Sequence, residues 1–189
     1  MLWGGVAGGG LELRRLDGGR VRVAGAFPYN RETVLADGPG GRRIEVVAAR
    51  AFRARIESGE DVHLLAQHDF AQPLASRSAG TLELRDGDDA LRFEAEIDAG
   101  TSWAQDFVAA HRAGLVKGLS PGFRVSPEGE RIEARGGDVR RTITAAELFE
   151  ISAVTRPAYE DAQIEARNWT PGDVAPDAGL VRALTRWRA

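Results

Sequence analysis

Short runs of alternating apolar and polar residues recur along the chain, and a period of two is the mark of a half-buried strand. LELRRL (Leu11–Leu16) and RVRVAGAF (Arg20–Phe27) flank Asp17-Gly18-Gly19 and read as a hairpin. GTLELR (Gly80–Arg85) and ALRFEAEI (Ala90–Ile97) flank Asp86-Gly87-Asp88-Asp89 and read as a second, with Leu91, Phe93, Ala95 and Ile97 on one face. A turn-rich loop at Ala36–Arg43 precedes IEVV (Ile44–Val47), and VHLLA (Val62–Ala66) reads as a buried strand. LSPGFRV, a polar excursion over Ser126–Arg141, TIT and LFEISAV (Leu148–Val154) follow. Two segments switch to a helical period. Ala48, Phe52 and Ile56 predict a short helix closed near Gly59; Trp103, Phe107 and Ala110 predict one from about Ser102 to Gly114.

About eight or nine short strands, two helices and no repeats predict an α+β fold: a small, mixed, mostly antiparallel β-barrel with helices packed outside. Strands and helices do not alternate regularly, which argues against a Rossmann layout. Residues 1–19 read as a glycine-rich flexible lead-in and a first strand, 20–169 as the main domain. Pro171, Gly172 and Pro176 then make residues 170–189 a linker before LVRALTRW, a candidate C-terminal helix.

At 189 residues, 43% of them hydrophobic and 28% charged, the chain is long and apolar enough for one globular core. A net charge of −3 with interspersed signs gives nucleic-acid or membrane-surface binding no electrostatic support. The absence of cysteine removes disulfides, thiolate metal sites and a cysteine nucleophile together, and fits a reducing compartment. The N-terminus lacks a basic region and a continuous apolar run, so no signal peptide is expected, and no stretch approaches the ~18–20 apolar residues that span a bilayer. A soluble, intracellular protein is the expectation. No metal or cofactor is expected either: His63 and His68 fall on opposite strand faces without a third ligand, and no phosphate-binding loop occurs.

Three positions carry candidate chemistry. His68 follows Val62–Ala66 at the strand's end, on the side of Leu64 and Ala66, where a packed strand delivers a side chain to a loop. His111 reads as a surface or last-turn residue of its helix. Ser120 lies in KGLSPGFRV, where Pro121 forces it into an extended conformation and Gly122 permits a sharp departure; the arrangement is not a G-x-S-x-G elbow. Glu150 shares one face of LFEISAV with Leu148, Ser152 and Val154, opposite Phe149, Ile151 and Ala153. A carboxylate on so apolar a strand needs a partner, either one of the many arginines or a histidine that it orients.

LLAQHDFAQPLAS, GLSPGFRV and ELFEISAVTRPAYEDA, in that order, resemble the histidine, serine and acidic motifs of tailed-phage prohead (procapsid-maturation) serine proteases, a family related in fold to herpesvirus assemblin. The resemblance runs from about Arg20 to Arg167 and takes in the intervening hairpin and helix. It implies a protease domain over 20–169, a barrel ringed by helices, and His68 as base, Ser120 as nucleophile and Glu150 as third member. It further implies a serine endopeptidase that cleaves the major capsid protein or its scaffolding segment, and itself, acting as a homo-oligomer inside the immature procapsid in the host cytoplasm. The alternative is a weak or inactive relative that serves as a scaffold or binding partner. Gln67 stands where the family has Asn, Ala75-Ser76 where it has glycine, and Pro121 where an aromatic or aliphatic residue follows the serine. Proline has no N–H, so oxyanion donors are sought in the amides of Gly122 or Phe123, or in Arg156. If the tail docks, deleting residues 170–189 is expected to lower incorporation into capsids; normal incorporation excludes a docking role.

Overall fold

The computed structural model describes residues 2–4, 11–16, 19–155 and 157, and in it the alternating segments form strands of three sheets with two helices. The first sheet runs, in spatial order, β1 (Leu2–Gly4), β2 (Leu11–Arg15), β3 (Arg20–Pro28), β9 (Ala90–Asp98) and β8 (Leu82–Asp86), antiparallel throughout. The second runs β11 (Glu130–Arg135), β12 (Asp138–Ile143), β5 (Gly41–Val47) and β4 (Glu32–Gly38), with β12 and β5 parallel. The third runs β10 (Gly118–Arg124), β13 (Glu147–Val154), β6 (His63–Ala66) and β7 (Asp69–Ser76), with β13 and β6 parallel. The helices are α1 (Arg53–Ser58) and α2 (Ser102–Arg112).

A mixed and mostly antiparallel pairing is what the hairpins predicted, but none of the three strand orders closes on itself. Among the described residues there is no closed barrel, and two helices do not make a ring. Hairpin turns encode which neighbours pair. Closure depends on long-range pairings such as β5 with β12 and β6 with β13, which alternation does not encode. The expected C-terminal helix lies outside the described residues, as do Met1 and residues 5–10 of the expected lead-in.

Two local differences have physical causes. The segment read as a helix over Ala48–Ser58 is helical only from Arg53; Ala51 and Phe52 are buried ahead of it, and Gly59 closes it in the left-handed conformation at φ +75°. The polar excursion over Ser126–Arg141 contains β11 and part of β12, joined by Gly136-Gly137. Most of β11 is exposed on both faces, so no alternation advertises it.

Leu64, Ile97, Ile143, Leu148 and Ile151 are among the fully buried residues of the core, with Phe52 in contact with the rings of Phe27, Tyr29 and Phe123. Thr101 caps α2 by accepting from the Ala104 amide, and Trp103 Nε1 donates to the Pro73 carbonyl at 2.9 Å, fastening the helix to β7. His111 is buried in the last turn of α2, stacked on Phe107, with Nδ1 2.8 Å from the Val116 carbonyl; it is not a surface residue.

Arg141 and Glu45 form an ion pair inside the protein. Arg141 Nη1 lies 2.9 Å from Glu45 Oε2, and its Nε 2.6 Å from Glu130 Oε2, with the side chains of Arg141 and Glu45 only 4% and 0% exposed. Burial pushes the Glu45 carboxyl above its ordinary range, against the pull of Arg141. Removing one member of such a pair leaves the other charged, buried and uncompensated. Arg141→Ala is therefore expected to lose about 3–5 kcal/mol of stability, read as a shift of the urea denaturation midpoint.

Candidate active site

The third sheet carries all three sequence candidates. β10 and β13 pair antiparallel, with Ser120 opposite Ser152 and Gly122 opposite Glu150, so these four residues share one face. The register then shifts by one, because Phe149 has no partner on β10 and Phe123 pairs with Leu148. That bulge breaks the alternation expected of LFEISAV. It sends Leu148 to the face of Ile151 and Ala153, which join the core, while Glu150 and Ser152 keep the other face. Phe149 is flanked by the guanidinium groups of Arg55 and Arg124, 5.3 and 5.1 Å from its ring centre.

His68 is not the last residue of its strand. β6 ends at Ala66, which pairs with Asp69, and Gln67-His68 form the two-residue link between β6 and β7. Both have positive φ, 55° and 62°, as a type I′ turn demands. Neither is glycine, asparagine or aspartate, so the sequence carries no ordinary turn signal. Left-handed residues other than glycine cost on the order of 1–3 kcal/mol each and persist where their surroundings hold them. Three bonds hold these: Gln67 N donates to the Ala153 carbonyl at 3.1 Å, His68 N to Ser152 Oγ at 3.0 Å, and Thr155 N to Gln67 Oε1 at 3.5 Å. All three run to β13 or the residue after it.

The turn brings the imidazole to the carboxylate. His68 Nδ1 lies 2.7 Å from Glu150 Oε1, and Ser152 Oγ donates to Glu150 Oε2 at 2.6 Å. Of the two partners considered for Glu150, the structure selects histidine over arginine. An ionised carboxylate only accepts, so against ionised Glu150 the proton sits on Nδ1, and a neutral imidazole then presents its lone pair at Nε2. Both Nε2 and the hydroxyl oxygen of Ser120 are buried without a hydrogen-bond partner among the described residues. The two atoms are not bonded to each other. Ser120 stands beside Ser152 on the adjoining strand, where facing side chains begin about 4.5–5.5 Å apart.

Space for this arrangement comes from Gly122. A Cβ there would fall 2.0 Å from Glu150 Oε1 and 2.7 Å from its carboxyl carbon. Gly122 does not have positive φ, so it is its missing side chain, not backbone freedom, that the site uses. Pro121 is tolerated because β10 is an edge strand of its sheet. Of the oxyanion candidates, Gly122 and Phe123 sit at the register shift, and Arg156 lies outside the described residues. Among the described residues no group of three or more His, Asp or Glu is placed to hold a metal ion, and no helix is long and apolar enough to cross a membrane. His63 instead meets Asp61 at 3.5 Å and the edge of Phe70.

Over residues 13–173 the sequence matches the family model described as caudovirus prohead serine protease. The chain belongs to this family. Neither the curated proteins nor the solved structures contain a match to it. The family is one of serine peptidases of the phage prohead, so membership assigns hydrolase chemistry and a place in capsid maturation. Sequence reasoning missed Ser152 as part of the site. Its signal was present: two polar residues, Glu150 and Ser152, spaced by two in the otherwise apolar run Leu148–Val154.

Gly122→Ala is expected to push the Glu150 carboxylate off His68 and, by overpacking, to cost about 1–3 kcal/mol. Chemical denaturation reads the second effect. Loss of the hydrogen-bonded His68 Nδ1 proton from the NMR spectrum reads the first.

Proposed function

We propose that the protein is a serine endopeptidase of procapsid maturation in which Ser120 is the nucleophile, His68 the general base and Glu150 the group that orients the imidazole. The observation that carries the reading is the 2.7 Å contact between His68 Nδ1 and Glu150 Oε1, with an unpartnered Nε2 and an unpartnered Ser120 hydroxyl buried at the same sheet face. An imidazole held by a carboxylate at Nδ1 has a single free basic atom, and an alcohol is a useful nucleophile at neutral pH only beside such a base.

The chemistry is acyl transfer. As Ser120 Oγ bonds to the scissile carbonyl carbon, its proton passes to His68 Nε2 and the carbonyl electrons move onto oxygen. Collapse of the tetrahedral species breaks the C–N bond, and the leaving amine takes the proton from Nε2. Water then repeats the sequence on the acyl-enzyme and releases the acid. Glu150 faces the imidazolium formed in each half. Its substrates are the major capsid protein or its scaffolding segment, and the chain itself. The place of action is the interior of the immature procapsid, where the enzyme works as a homo-oligomer.

Two features favour a second reading. Pro121 withholds the amide that would follow the nucleophile, and removing one oxyanion donor costs on the order of 10²–10³ in rate. Ser120 is also fully buried. These favour a weak or inactive relative that binds capsid protein as a scaffold. The two readings separate when capsid-protein precursor is co-expressed with variants and its cleavage is followed on gels. Ser120→Ala and His68→Ala are each expected to abolish processing with the fold intact, and Glu150→Gln to slow it by less. Processing by Ser120→Ala at the wild-type rate removes the catalytic assignment; no processing even by the wild type favours the scaffold.

A further inference from the structure

We infer that Ser152 is a positioning residue that sets the orientation of both members of the His68–Glu150 pair, an inference that rests on the catalytic reading above. Its hydroxyl makes two bonds of opposite sense: it donates to Glu150 Oε2 at 2.6 Å and accepts from the His68 amide at 3.0 Å. The first fixes the carboxylate plane, since Oε1 is held by the imidazole and Oε2 by Ser152. The second fixes the backbone that carries the imidazole, at a residue whose left-handed conformation needs outside support. One side chain thus ties the acid and the base to a single point on β13.

The hydroxyl has one proton, and Glu150 takes it. Ser152 therefore does not donate to Ser120, although the two residues face each other across β10 and β13. The proposed nucleophile keeps its acceptor sites clear of this neighbour's proton. Ser152 is 0% exposed, so its two bonds are made away from bulk solvent. Truncation leaves Oε2 without this donor and the His68 amide without this acceptor, so neither the carboxylate plane nor the turn that carries the imidazole is held. Loss of either hold lets the Nδ1–Oε1 contact open and relaxes the preference for a proton on Nδ1.

The test uses the full chain and two readouts. One is the second-order rate of labelling by a fluorophosphonate, with the modified residue mapped by mass spectrometry. The other is the tautomer of His68, read from the nitrogen resonances of its ring. The wild type is expected to label at Ser120 and to hold its neutral imidazole proton on Nδ1. Ser152→Ala is expected to fold, to label slower by on the order of 10- to 100-fold, and to show a mixture of tautomers. Ser152→Thr, which keeps the hydroxyl, should recover most of the rate and the single tautomer. Labelling by Ser152→Ala at the wild-type rate with an unchanged tautomer overturns the inference and leaves the catalytic reading standing. A slow Ser152→Ala with an unchanged tautomer and no recovery in Ser152→Thr also overturns it, since Ser152 then serves packing alone. A wild type unlabelled at Ser120, with a tautomer that still depends on Ser152, removes the nucleophile and keeps the positioning role. If Ser152→Ala does not fold, Ser152→Cys keeps the shape, weakens the hydrogen bond and carries the same two readouts.

Discussion

A carboxylate taken out of water is costly without hydrogen-bond partners, and the site is arranged around supplying them to both oxygens of Glu150. At 4% exposure the group has no solvent to fall back on, and it is satisfied by one imidazole nitrogen and one hydroxyl. Several features make sense only together with this pairing. Gly122 gives up its side chain where the carboxylate lies. The bulge at Phe149 lets β13 put Leu148 and Ile151 into the core while Glu150 and Ser152 stay on the other face. The parallel pairing of β13 with β6 brings Ala66, the end of β6, level with Ala153, and the turn that follows sets the His68 amide on Ser152 Oγ.

The strain in the Gln67-His68 turn belongs to the same account. Two consecutive left-handed residues without glycine are unfavourable on their own, and their hydrogen bonds run to β13 or just past it. The turn is thus stable to the extent that the sheet beneath it is intact. A histidine placed this way has little freedom to leave its carboxylate, which is the condition under which an imidazole keeps one nitrogen for proton transfer. Nothing in this arrangement draws on a closed barrel. A four-stranded sheet carries it, with the register shift at Phe149 and one tight turn.

Much of this was legible in the sequence, and the limits have physical reasons. The hairpins at Arg20 and Ala90 and the helix ending near Gly114 follow from alternation, turn residues and a glycine cap, all local signals. Strand β11 was not legible because neither face is buried along most of its length. The closed barrel expected from the sequence is not found among the described residues, and closure depends on pairings between segments far apart in the chain. Within the site, the need of Glu150 for a partner could be read from an acidic residue on an apolar strand, and the choice of His68 over an arginine could not. The turn that delivers His68 was read as a strand end because glutamine and histidine are not turn formers. The bulge at Phe149 left no trace in a segment where every second residue could equally face the core.

If Glu150 orients the imidazole that makes the Ser120 hydroxyl nucleophilic, a crystal structure of the protein after reaction with a peptidyl phosphonate will show it. The expected result is a covalent bond from Ser120 Oγ to phosphorus, with His68 Nε2 about 2.6–3.2 Å from an oxygen of the adduct and the Nδ1 contact to Glu150 preserved. An adduct on any other residue, or an imidazole turned away from both Ser120 and Glu150, would contradict it.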